Sequence, residues 1–356
     1  MIGSAPHRFL IIKLGSIGDV IHTLPALATL KRAFPDAEVD WLVEKKARIV
    51  LGRNSLIHAV IEADTHRWRK FWWTPGTLSE LSCLIRRLRA RKYDVAIDFQ
   101  GLWKSAAFGY FANPRLFMGF AAEALKEPGC RIFYKNRISP SPQSNHVVEK
   151  YLDLVRSLGD VIPTYNFDLN VSEEDERYVS QQLISHGIQK FVILNPGGGW
   201  ITKNWLPENY AELHDKLHLT FGLESVLTWG PGEESLVDRI IDHCRTKPPA
   251  RFPTTIPQFI ALARKAALFV GGDTGPLHIA AACGTPIVAI YGPTDPVRNG
   301  PFGQGDWVAW EKVPCGPCYQ RTCEIYQNEC LRRIHIDQVF NLISRRIKLN
   351  VQRGVC

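Results

Sequence analysis

The stretch Ala267–Ala282, ALFVGGDTGPLHIAAA, decides how the chain is read. An apolar run from Ala267 to Val270 stops at two glycines, and an Ala-rich helical run begins after Pro276. This is a strand that delivers a helix N-terminus to the edge of a sheet. The free N–H groups and positive dipole of such an end suit a diphosphate. Gly275 lets an anion come close, Asp273 or Thr274 can cap the helix, and His278 in the first turn can add a donor. A capped helix start with a packed histidine would leave the same residues Gly271–His278, so the reading depends on their surroundings.

Those surroundings repeat the pattern. Lys190–Asn195 is an apolar strand that runs into Pro196 and three glycines, Gly197, Gly198 and Gly199. Ser225–Trp229 runs into Gly230-Pro231-Gly232, and Pro286–Tyr291 into Gly292-Pro293-Thr294. In the first half, strands are expected at Arg8–Lys13, Val39–Glu44 and Asp94–Asp98, with helices over Val20–Ala33 and Leu78–Arg91. Strand–helix alternation of this kind predicts an α/β chain with parallel sheets covered on both faces. The pattern starts afresh after the loop Ile138–Asn145, which predicts two doubly wound domains, 1–165 and 166–335.

The length of 356 residues fits two domains, and the 45% hydrophobic and 22% charged content is globular, which sets aside a disordered or fibrous chain. No apolar run reaches the ~18 residues of a membrane span. The start of the chain has no signal-peptide pattern, so a cytoplasmic protein is expected. The net charge of +8 is uneven. Residues 1–160 hold 24 basic and 15 acidic residues, whereas the remainder hold 19 and 20. The first half is therefore the one expected to meet an anion, unless the excess is only a solvated face.

Three further positions carry candidate chemistry. Lys203 follows the Gly197–Gly199 loop, where it can contact a phosphate or lie solvated. Glu233 and Glu234 follow a strand-end turn, where a carboxylate can accept ribose hydroxyls or simply start a helix. Asp19 closes Lys13-Leu14-Gly15-Ser16-Ile17-Gly18 after the first strand. Those glycines do not match the dinucleotide fingerprint G-x-G-x-x-G, which argues against a nicotinamide oxidoreductase. A carboxylate there can cap a helix and can also take a proton from a hydroxyl.

Taken in order, these residues resemble the bacterial heptosyltransferases of glycosyltransferase family 9. The resemblance spans nearly the whole chain. It rests on Lys13–Leu27 (KLGSIGDVIHTLPAL), Arg67–Lys70 (RWRK), Gln100–Ala106 (QGLWKSA), Lys203 with Trp205–Glu208, Trp229-Gly230 with Glu234, and Asp273-Thr274-Gly275 with His278. It implies a GT-B fold of two facing Rossmann-like domains with a central cleft, the last helix, about 336–350, packing back on the first. It also implies inverting transfer from ADP-L-glycero-D-manno-heptose to the Kdo of a lipopolysaccharide inner core. The motifs lie nearest the type I enzymes, with a type II enzyme or another sugar and acceptor as the alternative.

By the same resemblance, Asp19 is the general base. Lys203, Glu234, Asp273, Thr274, Gly275, His278, Gly198, Gly199 and Thr254 hold the donor. Ser16, Gly18, Arg67, Lys70, Lys104 and Lys126 meet the acceptor, Kdo–lipid A. Neither metal nor other cofactor is expected, nor a nucleic-acid partner. The protein is expected to be a monomer at the cytoplasmic face of the inner membrane, against its anionic surface. The chain departs from the family pattern at His66 and Lys126, where a further basic residue and an arginine are expected, and at Gly198-Gly199, where hydroxyl side chains are common.

Four of nine cysteines cluster as Cys315-x2-Cys318-x4-Cys323-x6-Cys330. Short spacings of this kind are those of a zinc site, and they leave free thiols, a structural metal or disulfides open. The basic segment with Trp68, Phe71, Trp72 and Trp73 would also suit stacked bases, but a nucleic-acid module would leave Asp19, Lys203 and Asp273–His278 without a purpose.

Overall fold

The computed structural model describes residues 6–71, 73–303, 307–324 and 327–352. Its contacts divide the chain into two units, Met1–Asn170 and Val171–Cys356.

The strands of the first unit are β1 (Arg8–Ile12), β2 (Glu38–Glu44), β3 (Ala59–Ala63), β4 (Val95–Asp98), β5 (Leu116–Phe120) and β6 (Asn136–Ile138). They form one parallel sheet in the order β3-β2-β1-β4-β5-β6. Its helices are α1 (Ile17–Ala33), α2 (Thr65–Lys70), α3 (Pro75–Ala90), α4 (Trp103–Ala112) and α5 (Val147–Arg156). Phe9, Leu10, Ile11 and Ile12 of β1 have no exposed surface, because a central parallel strand is covered by helices on both faces. The first helix is buried nearly all round and packs on α5, which accounts for its mostly apolar sequence. It begins at Ile17, three residues earlier than the apolar pattern predicts. Ser16 ends the strand-to-helix loop, and its N–H and hydroxyl both donate to Asp19, at 2.9 and 3.0 Å.

The second unit repeats the plan with β7 (Phe191–Asn195), β8 (Glu224–Leu227), β9 (Ala250–Arg251), β10 (Leu268–Gly272), β11 (Ile287–Tyr291) and β12 (Trp307–Trp310). Its parallel sheet has the order β12-β11-β10-β7-β8-β9. The helices are α6 (Glu173–Ser185), α7 (Pro207–Phe221), α8 (Glu234–His243), α9 (Ile256–Lys265), α10 (Gly275–Ala282), α11 (Pro296–Asn299), α12 (Glu329–Arg332) and α13 (Ile336–Gln352). Within its own unit α13 lies against α7, β11 and β12. Its Phe340 stacks on Phe221, and Val339 and Ile343 are buried in the core there.

In each sheet the strand order reverses between the first strand and the fourth, β1 beside β4 and β7 beside β10. Loops leaving the carboxyl ends of such a pair diverge and open a crevice, the usual ligand position in these sheets. Among the described residues no helix is long and apolar enough to cross a membrane.

Candidate functional site

In the second unit the loops after β7 and β10 meet at that reversal. Asp273 follows β10, and Thr274 is the N-cap of α10. Lys203 ends a short turn, Ile201–Lys203, beyond β7. Its Nζ donates to Asp273 Oδ2 at 2.6 Å and to the Asp273 carbonyl at 3.0 Å. His278 Nε2 stands 3.1 Å from the other carboxylate oxygen. Burial works to raise the Asp273 carboxyl, but the hydrogen bond and charge of His278, then Lys203, hold it well below the usual carboxylate range. The loop therefore carries a buried anion matched by an ammonium that a diphosphate can also use.

Two glycines allow this approach. A Cβ on Gly272 would lie 2.7 Å from the Lys203 carbonyl oxygen. One on Gly198 would lie 2.8 Å from Thr274 Cγ2 and 3.1 Å from Asn204 Oδ1. Gly198, Lys203, Asn204 and Thr274 are thus brought together, with Gly275 next in line. Two buried oxygens here, Thr274 Oγ1 and Asn204 Oδ1, have no hydrogen-bond partner, which is rare in a finished interior and normal where a ligand completes the set. Lys203 Nζ also lies 4.5 Å from the centre of the Trp200 ring, and the Arg321 guanidinium 5.2 Å from it.

The remaining donor positions are looser. A Cβ on Gly199 would meet nothing. Thr254 is half-buried in the loop before α9. Glu234 is exposed as the first residue of α8, whereas Glu233, just before the helix, turns back and accepts the Gly230 N–H at 2.7 Å. The Glu233 carboxylate also fills the space beside Gly197 that a Cβ would need.

In the first unit, Asp19 sits in the first turn of α1, at the carboxyl end of β1. Its Oδ1 lies 3.6 Å from Lys13 Nζ, and its side chain is 40% exposed, open enough to meet a substrate hydroxyl. Lys13 itself is buried and also donates to the Phe99 carbonyl at 3.1 Å and the Tyr151 hydroxyl at 2.6 Å. Burial would lower its value, but Asp19, Tyr151 and Asp98 outweigh it and raise it, so the ammonium is kept. Gln100, beyond β4, accepts the N–H groups of Leu14 and Gly15 and fixes the loop that carries Ser16 and the buried Gly18.

The expected acceptor cations are spread along the same sheet edge. Arg67 pairs with Glu80 and, at 3.5 Å, with Asp64. Lys104, in the first turn of α4, reaches Glu44 at 3.2 Å and the Thr65 hydroxyl at 2.9 Å. Lys70 and Lys126 are exposed. Of the aromatic segment, Phe71 and Trp73 are exposed, Trp68 is buried with its indole N–H on Glu80, and Trp72 lies outside the described residues.

Sequence reasoning gave no role to Lys13, Gln100 or Asn204, and for Glu233 it offered a ribose contact or a helix start rather than the bond to Gly230. Lys13 alone left a signal, since a lysine closing an apolar strand must either snorkel or find a buried partner.

Two Rossmann-like α/β units, each with a parallel six-stranded sheet, have the GT-B fold class. Known proteins agree. The family model for glycosyltransferase family 9 (heptosyltransferase) matches residues 82–328. The chain is 30% identical to lipopolysaccharide heptosyltransferase 1 of Pseudomonas aeruginosa over 92% of its own length and 90% of that protein's. It is also 30% identical to lipopolysaccharide heptosyltransferase 3 of Escherichia coli, over 83% and 87%. It is similar to the solved E. coli heptosyltransferase WaaC with ADP, with a TM-score of 0.77 and 26% identity over 95% and 99% of the two chains. The chain belongs to glycosyltransferase family 9 and is a glycosyltransferase.

Proposed function

We propose that the protein moves heptose from ADP-L-glycero-D-manno-heptose to a Kdo hydroxyl of the lipopolysaccharide inner core, as a type I heptosyltransferase. Asp19 accepts the hydroxyl proton while the oxygen attacks the anomeric carbon from the face opposite ADP. The bond from that carbon to the diphosphate oxygen breaks, and ADP leaves with the electron pair. Lys203 and the N-terminus of α10 take up the charge that develops on it, in place of a metal ion. The ammonium of Lys13 steadies Asp19 before transfer and would bind it less tightly once the carboxyl is protonated.

The observation that carries this reading is the Lys203–Asp273–His278 contact at the β7/β10 reversal, beside two unpartnered oxygens. The names of the relatives support the sugar and the acceptor class. On the acceptor side, Arg67 and Lys104 must exchange Glu80 and Glu44 for acceptor carboxylates or phosphates, while Lys70 and Lys126 already face solvent. The protein works as a monomer on the cytoplasmic side of the inner membrane, where Phe71 and Trp73 beside Arg67, Arg69 and Lys70 suit an anionic interface.

The test is transfer from ADP-heptose to de-acylated Kdo2–lipid A by the wild type and Asp19→Ala. Loss of the base is expected to lower the rate about 10²–10⁴-fold with ADP still bound. A wild type that binds ADP but does not turn over on this acceptor would replace the type I assignment with the alternative, a type II-like enzyme or one with another sugar or acceptor.

A further inference from the structure

One face of the first unit stays apolar at its surface. Helix α4 lies between α3 and the short turn Pro128–Phe133. Trp103, Tyr110, Phe111 and Ile132 are 47%, 54%, 42% and 64% exposed there. Ring contacts join them into one patch. Trp103 and Tyr110 both meet Phe133, with ring centres 5.9 and 5.2 Å apart, and Tyr110 meets Phe111 at 5.5 Å. The Trp103 N–H donates to Glu127 at 2.7 Å, and Gly129 leaves room for the ring, since a Cβ there would lie 2.5 Å from Trp103 Cζ2. A single exposed aromatic is ordinary, whereas a connected and anchored patch marks a surface that meets a partner.

Cations border the patch. Residues 128–137 hold Arg131, Lys135 and Arg137, all exposed, and no acidic residue. At the far end of α4, Arg89 Nε donates to the Phe111 carbonyl at 2.8 Å. Arg89 also lines a cavity of about 510 Å³ with Lys92, Tyr93, Asn113 and Arg115. Among the described residues, Asp94, 3.3 Å from Arg115, is the one carboxylate paired with any of these six cations. The cavity lies before β4 and β5, at the edge of the sheet opposite the one that carries Asp19. It is therefore separate from the site of transfer.

We propose that this face docks on an anionic phospholipid bilayer, with a lipid phosphodiester in the Arg89–Lys92–Arg115 cavity and the aromatic patch among the glycerol and upper acyl groups. The proposal extends the reading of an enzyme at an anionic membrane and rests on it. Aromatic rings favour the membrane interface, and exposed cations concentrate anionic lipid. The two guanidinium groups suit phosphate oxygens, and the Asn113 amide adds a donor. The face is continuous with the segment of Phe71 and Trp73. Trp68 of α2 packs on Phe108 of α4 with ring centres 6.1 Å apart, and Lys104 of α4 donates to the Thr65 hydroxyl of α2 at 2.9 Å. A second copy of the chain would meet this face with like charge, which disfavours a symmetric dimer through it.

The test is flotation of the full chain with vesicles of phosphatidylglycerol and phosphatidylethanolamine, against vesicles of phosphatidylcholine alone. Binding is expected to the first and not to the second, and it should fall in about 0.5 M salt. Phe111→Ser with Ile132→Ser should weaken it about tenfold or more. Lys92→Gly with Arg115→Ser should weaken it several-fold. Lys92 has a φ of 50°, which glycine adopts at lower cost, so that variant keeps its fold. Brominated lipid should quench the part of the tryptophan fluorescence that Trp103→Phe removes. Transfer to the de-acylated acceptor involves no bilayer and should be unchanged in every variant, so a failure of the enzyme assignment shows in that assay and not in the vesicles. If both double variants bind anionic vesicles as the wild type does, the proposal is overturned, while loss of binding in Phe71→Ser with Trp73→Ser would leave the membrane reading standing. Equal binding to neutral vesicles would overturn it, as would a dimer in ultracentrifugation that Phe111→Ser with Ile132→Ser dissolves. A wild type that stays in solution with anionic vesicles would overturn both readings.

Discussion

Asparagine at position 273 keeps the shape of the loop and removes its charge, so Asp273→Asn isolates what the buried anion does. Asp273 is 6% exposed, Lys203 15% and His278 5%. Opposite unit charges 2.6 Å apart attract by about 6 kcal/mol at an effective dielectric of about 20, and desolvation of both groups takes back part of that. Removing one partner leaves the Lys203 ammonium buried without its counter-charge, which costs about 3–5 kcal/mol. The acid limb follows from the sign of the shift. The folded carboxyl lies below its ordinary 3.8, so its contribution is complete above that value and is lost as pH falls further. Denaturant unfolding and hydrogen exchange of α10 at neutral pH should show the full gap between wild type and variant, and the gap should close in acid. A difference below about 1 kcal/mol at pH 7, or one that stays constant to about pH 3, would refute the reasoning.

Other perturbations reach separate parts of the chain. Lys13→Met removes the buried ammonium beside Asp19 and should lower transfer about 10²-fold while leaving ADP affinity unchanged by calorimetry. Gly272→Ala places a methyl 2.7 Å from the Lys203 carbonyl, so the Lys203 turn must shift. It should cost about 1–3 kcal/mol in thermal unfolding and weaken ADP binding, and an unchanged ADP affinity would count against the convergence described here. Replacing Phe71 and Trp73 by serine should abolish flotation of the protein with anionic liposomes. If the wild type stays in solution in that assay, the membrane reading fails.

Much of the fold was legible because a parallel strand buried on both faces must be apolar along its whole length. Phe9–Ile12 and Val192–Leu194 show this, and the glycines that end the second-half strands mark where the backbone comes closest to its neighbours. The helix start at Asp273–Gly275 was readable for the same local reason, but the side-chain cap expected of Asp273 or Thr274 is not formed, because the Asp273 carboxylate is taken by Lys203 and His278. The role of Glu233 was not readable, because it depends on where α8 begins. Starting the helix at Glu234 leaves Glu233 outside it, free to fold back onto Gly230. The cations proposed for the acceptor were legible as charge but not as partners. Glu80, thirteen residues from Arg67, and Glu44, sixty from Lys104, neutralise them only once the helices are in place.

The sequence alone determined two α/β units, the loops that bear glycine, and the residue types available at each strand end. These follow from periodicity and from backbone sterics, which act over a few residues. Only the tertiary structure decided the strand order, and with it which loops meet at each reversal. It put Lys203 on Asp273, seventy residues away, and Lys13 under Asp19 with Tyr151 behind it. A buried charge takes whatever partner packing supplies, and packing joins segments whose distance along the chain carries no information about their distance in space.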